Sequence, residues 1–482
     1  MSSIMRIIRS ELLPFAAHES GVRLSSNFIV GVLLIPKKMK GLFIFGWLLM
    51  AMPLAAQHDH HMHEDSTSQM SDTVMHSQMS HAYSRNLPMS RNGSGTGWLP
   101  DQSPVYGYMA AAGKWHLMFH GAAFPRLNFQ NLNNENGKGS ETAFGMPNWA
   151  MMMAQKTISK NGLLNFNLMV SVDRLTDGGN GYPLLFQTGE VWKGDELVDR
   201  QHPHDLISEL SVAYTHMISQ SMDITLYLGY PGEPALGPVA FMHRPSAMSN
   251  PNATLGHHWQ DATHIVYGVS TLGIRYKNMK VEGSVFTGRE PDENRFVPDR
   301  PKFDSYSYRI SVNPLSIVAM QFSQGWLKEP EESHPGEDVL RTTASILVNK
   351  HLGEENYLNS AFIYGINKPE HGDAQNSFTV EGNLIIKKFN PYLRYEFIQK
   401  TSGELDIPAL NHHALNSINA ITLGMAFQLF HVANTDFNIG GQSTAHLIAP
   451  GLQKYYGATP LSAEIYLRIN PGLITMQHEH TD

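Results

Sequence analysis

Apolar and polar residues alternate along most of the chain from about residue 115 onward, as in β-strands whose two faces meet different surroundings. The clearest stretch is 163–173, where apolar residues at even positions interleave with Asn165, Asn167, Ser171 and Asp173. The same alternation recurs at 223–230, 305–312 and 463–470. Sustained helical periodicity is scarce, so the pattern predicts an all-β protein.

The connections between the predicted strands alternate between short and long. Short ones lie near 158–162, 219–221, 277–278, 315–316, 351–355, 390 and 431–434. Long ones lie near 125–145, 174–207, 231–262, 288–303, 328–337, 368–375, 400–415 and 448–460. Outer-membrane barrels have short periplasmic turns and longer extracellular loops. We therefore expect an antiparallel transmembrane β-barrel of about 16 strands, within a range of about 12–18, with both termini in the periplasm.

A soluble sandwich or propeller is the alternative, because alternation alone does not identify the membrane. Many strands carry an apolar face opposite a face of Asn, Ser, Thr, Asp, Arg and Gln, which fits lipid outside and water inside. No blade-length repeat indicates a propeller. Aromatic residues also fall near strand ends, where barrels carry aromatic girdles: Trp115, Tyr230, Tyr267, Trp326, Tyr357, Tyr364, Tyr392 and Tyr395.

The start of the chain predicts export to the outer membrane. Lys37, Lys38 and Lys40 precede an apolar run over 41–54, followed by small residues, which is the order of a secretory signal. We interpret 1–56 as an upstream extension plus signal peptide, with Met39 as the start. The chain has no cysteine and a net charge of −8, which excludes thiolate metal sites and argues against a nucleic-acid partner.

Residues 57–91 form a polar segment rich in histidine and methionine, which we expect to be disordered and periplasmic. Imidazole binds Cu, Zn and Ni, and thioether selects Cu(I). The segment therefore predicts metal binding, with copper as the first expectation and zinc as the alternative. Its candidate ligands are His58, His60, His61, Met62, His63, Met75, His76, Met79 and His81.

Three segments complete the predicted organisation. Residues 92–114 are expected to be a linker or a lumen-packing segment, 115–471 the barrel, and 472–482 a C-terminal tail.

Two long loops carry the remaining candidate chemistry, and in a barrel they rise side by side, either converging over the lumen or folding into it. Their candidate metal ligands are His202, His204, Asp205, His243, His257, His258, Asp261 and His264. A metal site and a hydrogen-bonded structural network explain this set about equally well. A hydrolase with a His–Asp base is a third reading, but neither Ser208 nor Ser246 has the spacing of a nucleophile, and no Gly-x-Ser-x-Gly motif is present.

Two further segments have simpler interpretations. The run Met151-Met152-Met153, like nearby Met118 and His120, predicts packing, because methionine fills gaps well. The charged stretch 288–300 is expected to be a solvated extracellular loop and not a network that constricts the lumen.

Five long stretches of the chain resemble an uncharacterised family of exported Gram-negative proteins. They are 95–109, 197–206, 232–248, 256–264 and 286–295. The resemblance implies an outer-membrane β-barrel with a His/Met-rich N-terminal tail, often encoded among metal-handling functions, and assigns no catalytic residue. The architecture is also similar to that of class B copper-resistance outer-membrane proteins, although the barrel motifs do not match that class.

These observations together predict an outer-membrane barrel that binds or passes metal ions, copper first, in metal tolerance. An outer-membrane hydrolase and a passive porin with braced loops are the alternatives. The expected partners are outer-membrane lipid, metal ions and a periplasmic metal carrier, and the sequence leaves the oligomeric state open.

Overall fold

The computed structural model describes residues 82–353 and 355–474, and it is built almost entirely of β-strands. The strands are β1 (Tyr108–Ala112), β2 (Trp115–Ala123), β3 (Arg126–Gln130), β4 (Glu141–Gly145), β5 (Asn148–Thr157), β6 (Gly162–Val170), β7 (Tyr182–Pro183), β8 (Glu190–Trp192), β9 (Asp195–Leu197), β10 (Arg200–Gln201), β11 (Ile207–Ser219), β12 (Met222–Gly229), β13 (Val269–Tyr276), β14 (Met279–Phe286), β15 (Ser305–Leu315), β16 (Val318–Leu327), β17 (Val339–His351), β18 (Tyr357–Pro369), β19 (Gln375–Ile385), β20 (Phe389–Thr401), β21 (Leu415–Val432), β22 (Thr435–Ile448) and β23 (Leu461–Pro471).

The helical elements of the described residues are single turns within the connections. They are α1 (Asp173–Thr176), α2 (His257–Gln260), α3 (Gln453–Tyr456) and the 3-10 turns Met89–Arg91, Phe241–His243, Ala262–His264 and Pro450–Leu452. No helix among these residues is long and apolar enough to cross a membrane.

The long strands close into an antiparallel barrel of sixteen strands, which confirms the predicted fold class. The count treats β2 with β3 as one strand and β4 with β5 as another, because each pair keeps one register against its neighbours. Closure is made by β23, which pairs with β2 at Ala123 and with β3 from Arg126 onward. The lower part of β2 pairs instead with β1 in a hairpin.

The loop predicted at 125–145 is shorter than expected, because only 131–140 connects β3 to β4. Pro125 and Pro147 interrupt the alternation at Phe124–Pro125 and Met146–Pro147, and a proline cannot donate a ladder hydrogen bond. The strands nevertheless continue past both residues. The Pro125 carbonyl accepts from the Leu467 N–H at 2.9 Å, and the Pro147 carbonyl accepts from the Phe124 N–H at 2.9 Å.

Burial along the strands is inverted relative to a soluble protein. In β14 the exposed residues are Met279, Val281 and Val285, whereas Lys280 and Glu282 are buried inside. The same outward apolar face recurs around the barrel, for example at Leu272 and Ile274 of β13. An apolar outer face on a closed barrel, which leaves no unpaired edge, is the arrangement that lipid requires. The barrel is therefore an outer-membrane barrel.

Short and long connections alternate as the sequence predicts, and they define a short-turn end and a long-loop end. The short connections are 113–114, 158–161, 220–221, 277–278, 316–317, 352–356, 386–388 and 433–434. The long ones are 131–140, 171–206, 230–268, 287–304, 328–338, 370–374, 402–414 and 449–460.

The loop over residues 230–268, here called the plug loop, folds into the lumen, where nearly all of its residues are buried. Its backbone is fixed by inward-facing polar side chains of the wall. The Ala235, Gly237 and Leu255 N–H groups donate to Ser284, Ser323 and Glu396 at 2.7, 2.8 and 2.7 Å. Polar wall residues thus satisfy loop backbone groups that burial would otherwise leave without partners.

Residues 82–107, here called the entry segment, also line the lumen, toward the short-turn end. Its wall contacts include Tyr83 with Asn167 (2.8 Å), Ser84 with Asp223 (2.5 Å), Leu99 with Asn313 (2.9 Å) and Ser103 with Asn349 (2.7 Å). Residues 82–91 thus differ from the predicted disordered segment, because the buried side chains of Tyr83, Leu87 and Met89 give them a core to pack into. The other residues of that segment, 57–81, and the tail beyond 474 lie outside the described residues.

Candidate functional site

Five histidines from the two long loops meet inside the lumen and form what we call the histidine ring: His202, His204, His257, His258 and His264. His202 and His204 follow β10, with Pro203 fixing the backbone between them. His257 and His258 lie on α2, and His264 ends the 3-10 turn Ala262–His264. Both loops therefore fold inward to reach each other.

The ring is closed, because each imidazole neighbours at least two others, and His202 also stacks on His257 at 6.0 Å between centroids. Centroid separations are 6.2 Å for His202–His204, 5.6 Å for His204–His264 and 5.2 Å for His264–His257. The circuit continues at 5.3 Å for His257–His258 and 5.7 Å for His258–His202. Imidazoles that share one metal ion through nitrogens about 2.0–2.1 Å from it have centroids only slightly closer together than this.

In four of the five rings, Nδ1 has a hydrogen-bond acceptor. His204 Nδ1 lies 2.7 Å from Asp173 Oδ2, and His257 Nδ1 lies 2.7 Å from Asp261 Oδ1. His264 Nδ1 is 2.8 Å from the Asp261 carbonyl, and His202 Nδ1 is 3.3 Å from that of Pro203. These acceptors assign the proton to Nδ1 and leave the lone pair on Nε2.

His258 is held differently. Its Nδ1 lies 3.2 Å from Glu290 Oε2, without hydrogen-bond geometry. Although burial opposes the charged form, the Glu290 carboxylate raises the pKa of His258 above its usual value.

The opposite nitrogen, Nε2, is buried and has no hydrogen-bond partner in His202, His204, His258 and His264. Nε2 of His202 does lie 3.5 Å from Glu190 Oε1. An imidazole oriented through Nδ1 by a carboxylate or carbonyl, with Nε2 left free, is the arrangement of metal-binding histidines. Burial also lowers the pKa of His202, His257 and His264, the last to about 3. These rings are neutral at physiological pH and hold their lone pairs available.

Asp261 acts as an acceptor that orients other groups. Its Oδ1 accepts from His257, while Oδ2 lies 2.8 Å from Arg244 Nη1 and accepts from the Phe241 N–H at 3.0 Å. Arg244 also donates to Glu381 on β19 at 2.7 Å, and every charged group of this set is buried. Burying these charges is tolerable only because they are paired, so the Arg244 network ties the plug loop to the wall.

Asp205 likewise takes part in an ion-pair network that holds the loops together. Its Oδ2 lies 3.3 Å from Arg295 Nη1, and Arg295 Nη2 donates to Glu190 at 2.7 Å. Burial raises the pKa of Glu190 to about 7. Arg295 and Glu290 belong to the stretch predicted as a solvated loop, but both are buried beside the ring, because the carboxylates and imidazoles there supply partners for them.

His243 lies apart from the ring. It contacts His120 on β2 at a centroid distance of 5.6 Å and Trp149 on β5 at 4.7 Å. The candidate ligands His58 to His81 lie outside the described residues. The structure thus brings together five of the six predicted loop histidines.

Within residues 82–353 and 355–474, no group of three His, Cys, Asp or Glu side chains has donor atoms positioned to hold a metal ion as the rings stand. The ring has the donor type and the orienting partners, and binding requires its Nε2 atoms to turn inward. Sequence reasoning missed Asp173 and Glu290 as orienting groups. For Asp173, its place at the start of a long loop, directly after an alternating strand, was the available signal.

The two serines considered as nucleophiles, Ser208 and Ser246, donate to other groups and not to a histidine. Ser208 Oγ donates to the Asp205 carbonyl at 2.9 Å, and Ser246 Oγ donates to Glu381 at 2.9 Å. Both hydroxyls are therefore used in fixing the loops.

No family model matches the chain, and no curated protein matches it. Among solved structures, it is similar to OmpF of Salmonella typhi in complex with daunomycin, at 10% identity and a TM-score of 0.46, over 75% of this chain and 100% of that one. It is also similar to a loop L8 deletion mutant of OmpT from Vibrio cholerae, at 9% identity and a TM-score of 0.43, over 74% of this chain and 99% of that one. An anion-selective porin from Comamonas acidovorans is similar at 9% identity and a TM-score of 0.44, over 74% of this chain and 99% of that one. At these identities the likeness concerns the barrel fold alone.

Proposed function

We propose that this protein is a plugged outer-membrane barrel that binds a transition-metal ion in the histidine ring. The observation that carries the proposal is the set of buried Nε2 atoms of His202, His204 and His264, which have no hydrogen-bond partner and belong to rings that their Nδ1 contacts orient. Imidazole donors suit Cu(II), Zn(II) and Ni(II), and Cu(II) forms the most stable complexes among these ions. Copper is therefore the first candidate and zinc the second.

A purely structural role explains the ring less well. A histidine that only braces a loop gains hydrogen bonds, yet His202, His204 and His264 each bury one ring nitrogen without a hydrogen bond, and His258 buries two. An unsatisfied buried polar group costs roughly 1–3 kcal/mol. Metal coordination would satisfy these nitrogens together, and a brace would need only the Nδ1 contacts.

The filled lumen favours a metal-binding barrel over a passive porin. The plug loop and the entry segment both pack against the inner wall, so they occupy space that an open porin would leave to water, and the plug carries imidazoles into that space. We propose that the barrel serves metal tolerance by holding or passing the ion. The His/Met-rich residues 57–81 would act as a periplasmic collector or donor for it, in exchange with a periplasmic carrier.

Metal content tests the proposal. The full chain, folded in detergent, is saturated with Zn(II) or Cu(II), desalted and analysed for bound metal. We expect the variant His204→Gln/His264→Gln to bind about one equivalent less than the unsubstituted chain, because two donors of the ring are lost. The matched control is His216→Gln, since His216 is exposed on the outer face of β11.

Equal metal content in the ring variant and the control would contradict the proposal. Heat-modifiable migration on gels establishes that each variant forms the barrel. Because the N-terminal residues stay in every sample, their contribution cancels in the difference.

A further inference from the structure

A second cluster of soft donors surrounds a cavity of ≈160 Å³ between the plug loop and the closing strands of the barrel. Eight side chains that line it carry sulfur or imidazole: Met89, Met118, His120, Met153, His204, Met242, His243 and Met248. They come from the entry segment, from β2 and β5, from the loop after β10 and from the plug loop. The chain therefore brings five thioethers and three imidazoles around one space from four separate regions.

The strands place their donors in register. Met118 pairs with Met153, and His120 pairs with Met151, on the inward faces of β2 and β5. Met151 pairs in turn with Met169 on β6. Met152 points to the opposite face of β5, so the run of three methionines divides between the two sides of the barrel wall.

The plug loop and the entry segment complete the enclosure. Met242 and His243 lie in the 3-10 turn Phe241–His243, and Met242 packs against the buried methionine cluster that includes Met89. His120 and His243 approach to 5.6 Å between centroids, with Trp149 at 5.2 and 4.7 Å from them. Nε2 of His120 is buried and has no hydrogen-bond partner.

Packing alone leaves two of these facts unexplained. Methionine commonly fills irregular gaps, but here the methionines border a space that stays open. A core formed only for packing also has no use for an orphaned imidazole nitrogen. The carboxylate that reaches the cavity edge, Asp173, is already engaged by the Asn148 N–H at 2.6 Å and by His204 at 2.7 Å.

Thioether and imidazole together favour Cu(I) over Zn(II) or Mg(II), because soft ligands select the soft ion. We propose that this cavity, called the methionine cavity, is a binding site for Cu(I) bounded by Met118, Met153 and His120. His204 also lines the cavity, so the site adjoins the histidine ring. The inference extends the proposed metal function to a second site with different donors.

An anaerobic titration of the full detergent-folded chain tests the site. Cu(I) is partitioned between the protein and a colorimetric Cu(I) chelator, and Zn(II) equivalents are measured separately to report on the ring. The variant Met118→Leu/Met153→Leu removes two sulfurs with little change in volume. The control Met152→Leu makes the same change on the opposite face of β5.

We expect the double variant to bind about one Cu(I) less than the unsubstituted chain, the control to match it, and Zn(II) binding to be unchanged in both. Equal Cu(I) binding in the double variant and the control would overturn the site. A parallel loss of Zn(II) binding in the double methionine variant would show that the cavity and the histidine ring are not separate sites. Loss of Zn(II) binding only in the variant His204→Gln/His264→Gln would support two separate sites.

A measurement without substitution guards against a variant that fails to fold. Crystals of the unsubstituted chain soaked with Ag(I), a redox-inert analogue of Cu(I), should give an anomalous peak between the Met118 and Met153 sulfurs and His120. A silver-saturated crystal without that peak would refute the inference.

Discussion

The histidine ring and the methionine cavity adjoin each other in one lumen, yet they are built in opposite ways. The ring stands on two loops, and buried carboxylates and arginines fix its imidazoles. The cavity takes three of its eight donors from paired strands, where backbone register sets their positions. Donors on loops need buried ion pairs and hydrogen bonds to fix their positions, whereas the positions of donors on strands are fixed by the backbone hydrogen bonds of the barrel.

This difference has a thermodynamic consequence. Breaking a buried ion pair leaves an unpaired charge, which is strongly destabilising, whereas an exchange of Met for Leu keeps volume and apolarity. Single substitutions of charged residues should therefore disturb the ring severely. Substitutions in the cavity should remove a ligand with little effect on the fold.

The largest effect is expected for Arg244→Ala, which should break both regions at once. Arg244 joins Asp261 to Glu381 with side-chain exposures near 0%, so its loss removes a cation from two buried carboxylates. Glu381 keeps Arg394 and Asp261 keeps His257, so the cost is at most about 3–5 kcal/mol. We expect the plug loop to become accessible to protease and the ion conductance in planar bilayers to rise.

The control for that change is Arg289→Ala, because the ion pair of Arg289 with Glu332 is exposed on both sides and contributes at most about 1 kcal/mol. Equal protease resistance of the two variants would show that the Arg244 network does not hold the plug.

Asp173→Asn should separate the two regions. It weakens the orientation of His204, and the loss of such an orienting partner typically costs about 10–100-fold in metal affinity. Competition titration should show Zn(II) binding weakened far more than Cu(I) binding, because Asp173 orients a ring histidine but only borders the cavity. Asp195→Asn, at an exposed loop position, should change neither affinity. An equal loss of affinity for Zn(II) and for Cu(I) would argue against two distinct sites.

Trp149→Phe should test whether Cu(I) binds in the methionine cavity, through the fluorescence of a tryptophan beside it. Trp149 contacts both His120 and His243, so Cu(I) bound there should quench its fluorescence. With seven tryptophans in the chain, the quenched fraction should be about one seventh of the emission and should vanish in the variant. Trp326→Phe, which removes a tryptophan stacked on exposed Tyr306, should keep the quenching. Quenching that persists in Trp149→Phe would place Cu(I) elsewhere.

The smallest effect is expected at His334, which lies outside the ring and the cavity and pairs with Glu331, a carboxylate that also acts on His258. A hydrogen bond to Glu331 raises the pKa of His334 to about 9. Its stabilising contribution is therefore complete below about pH 6.5 and is lost as the pH rises through about 9. His334→Gln should flatten this dependence by less than about 1 kcal/mol in denaturant unfolding, with metal binding unchanged. A larger change in the pH dependence of stability, or a change in metal content, would mean that the His334–Glu331 pair also influences the metal sites.

The sequence predicted the barrel because lipid and water impose opposite requirements on alternate residues of each strand. The same logic failed at Pro125 and Pro147, where the strands continue without the usual donor. It also left the orientation of Met151-Met152-Met153 undetermined, since methionine occupies both faces there.

The site was predicted in part. The histidine-rich loops predicted a cluster of imidazoles. No local signal in the sequence indicated the ion pairs that fix it, because Arg295 lies 90 residues from Asp205 and 105 residues from Glu190. The inward folding of the plug loop depends on such distant pairs.

Anomalous diffraction at the zinc edge, from crystals of the full chain saturated with Zn(II), can locate a metal ion in the histidine ring. We predict a peak inside the ring, about 2.0–2.1 Å from the Nε2 atoms of His204, His264 and at least one further ring histidine. A metal-saturated crystal whose ring holds no peak, with zinc only at histidines of the outer surface, would contradict this prediction.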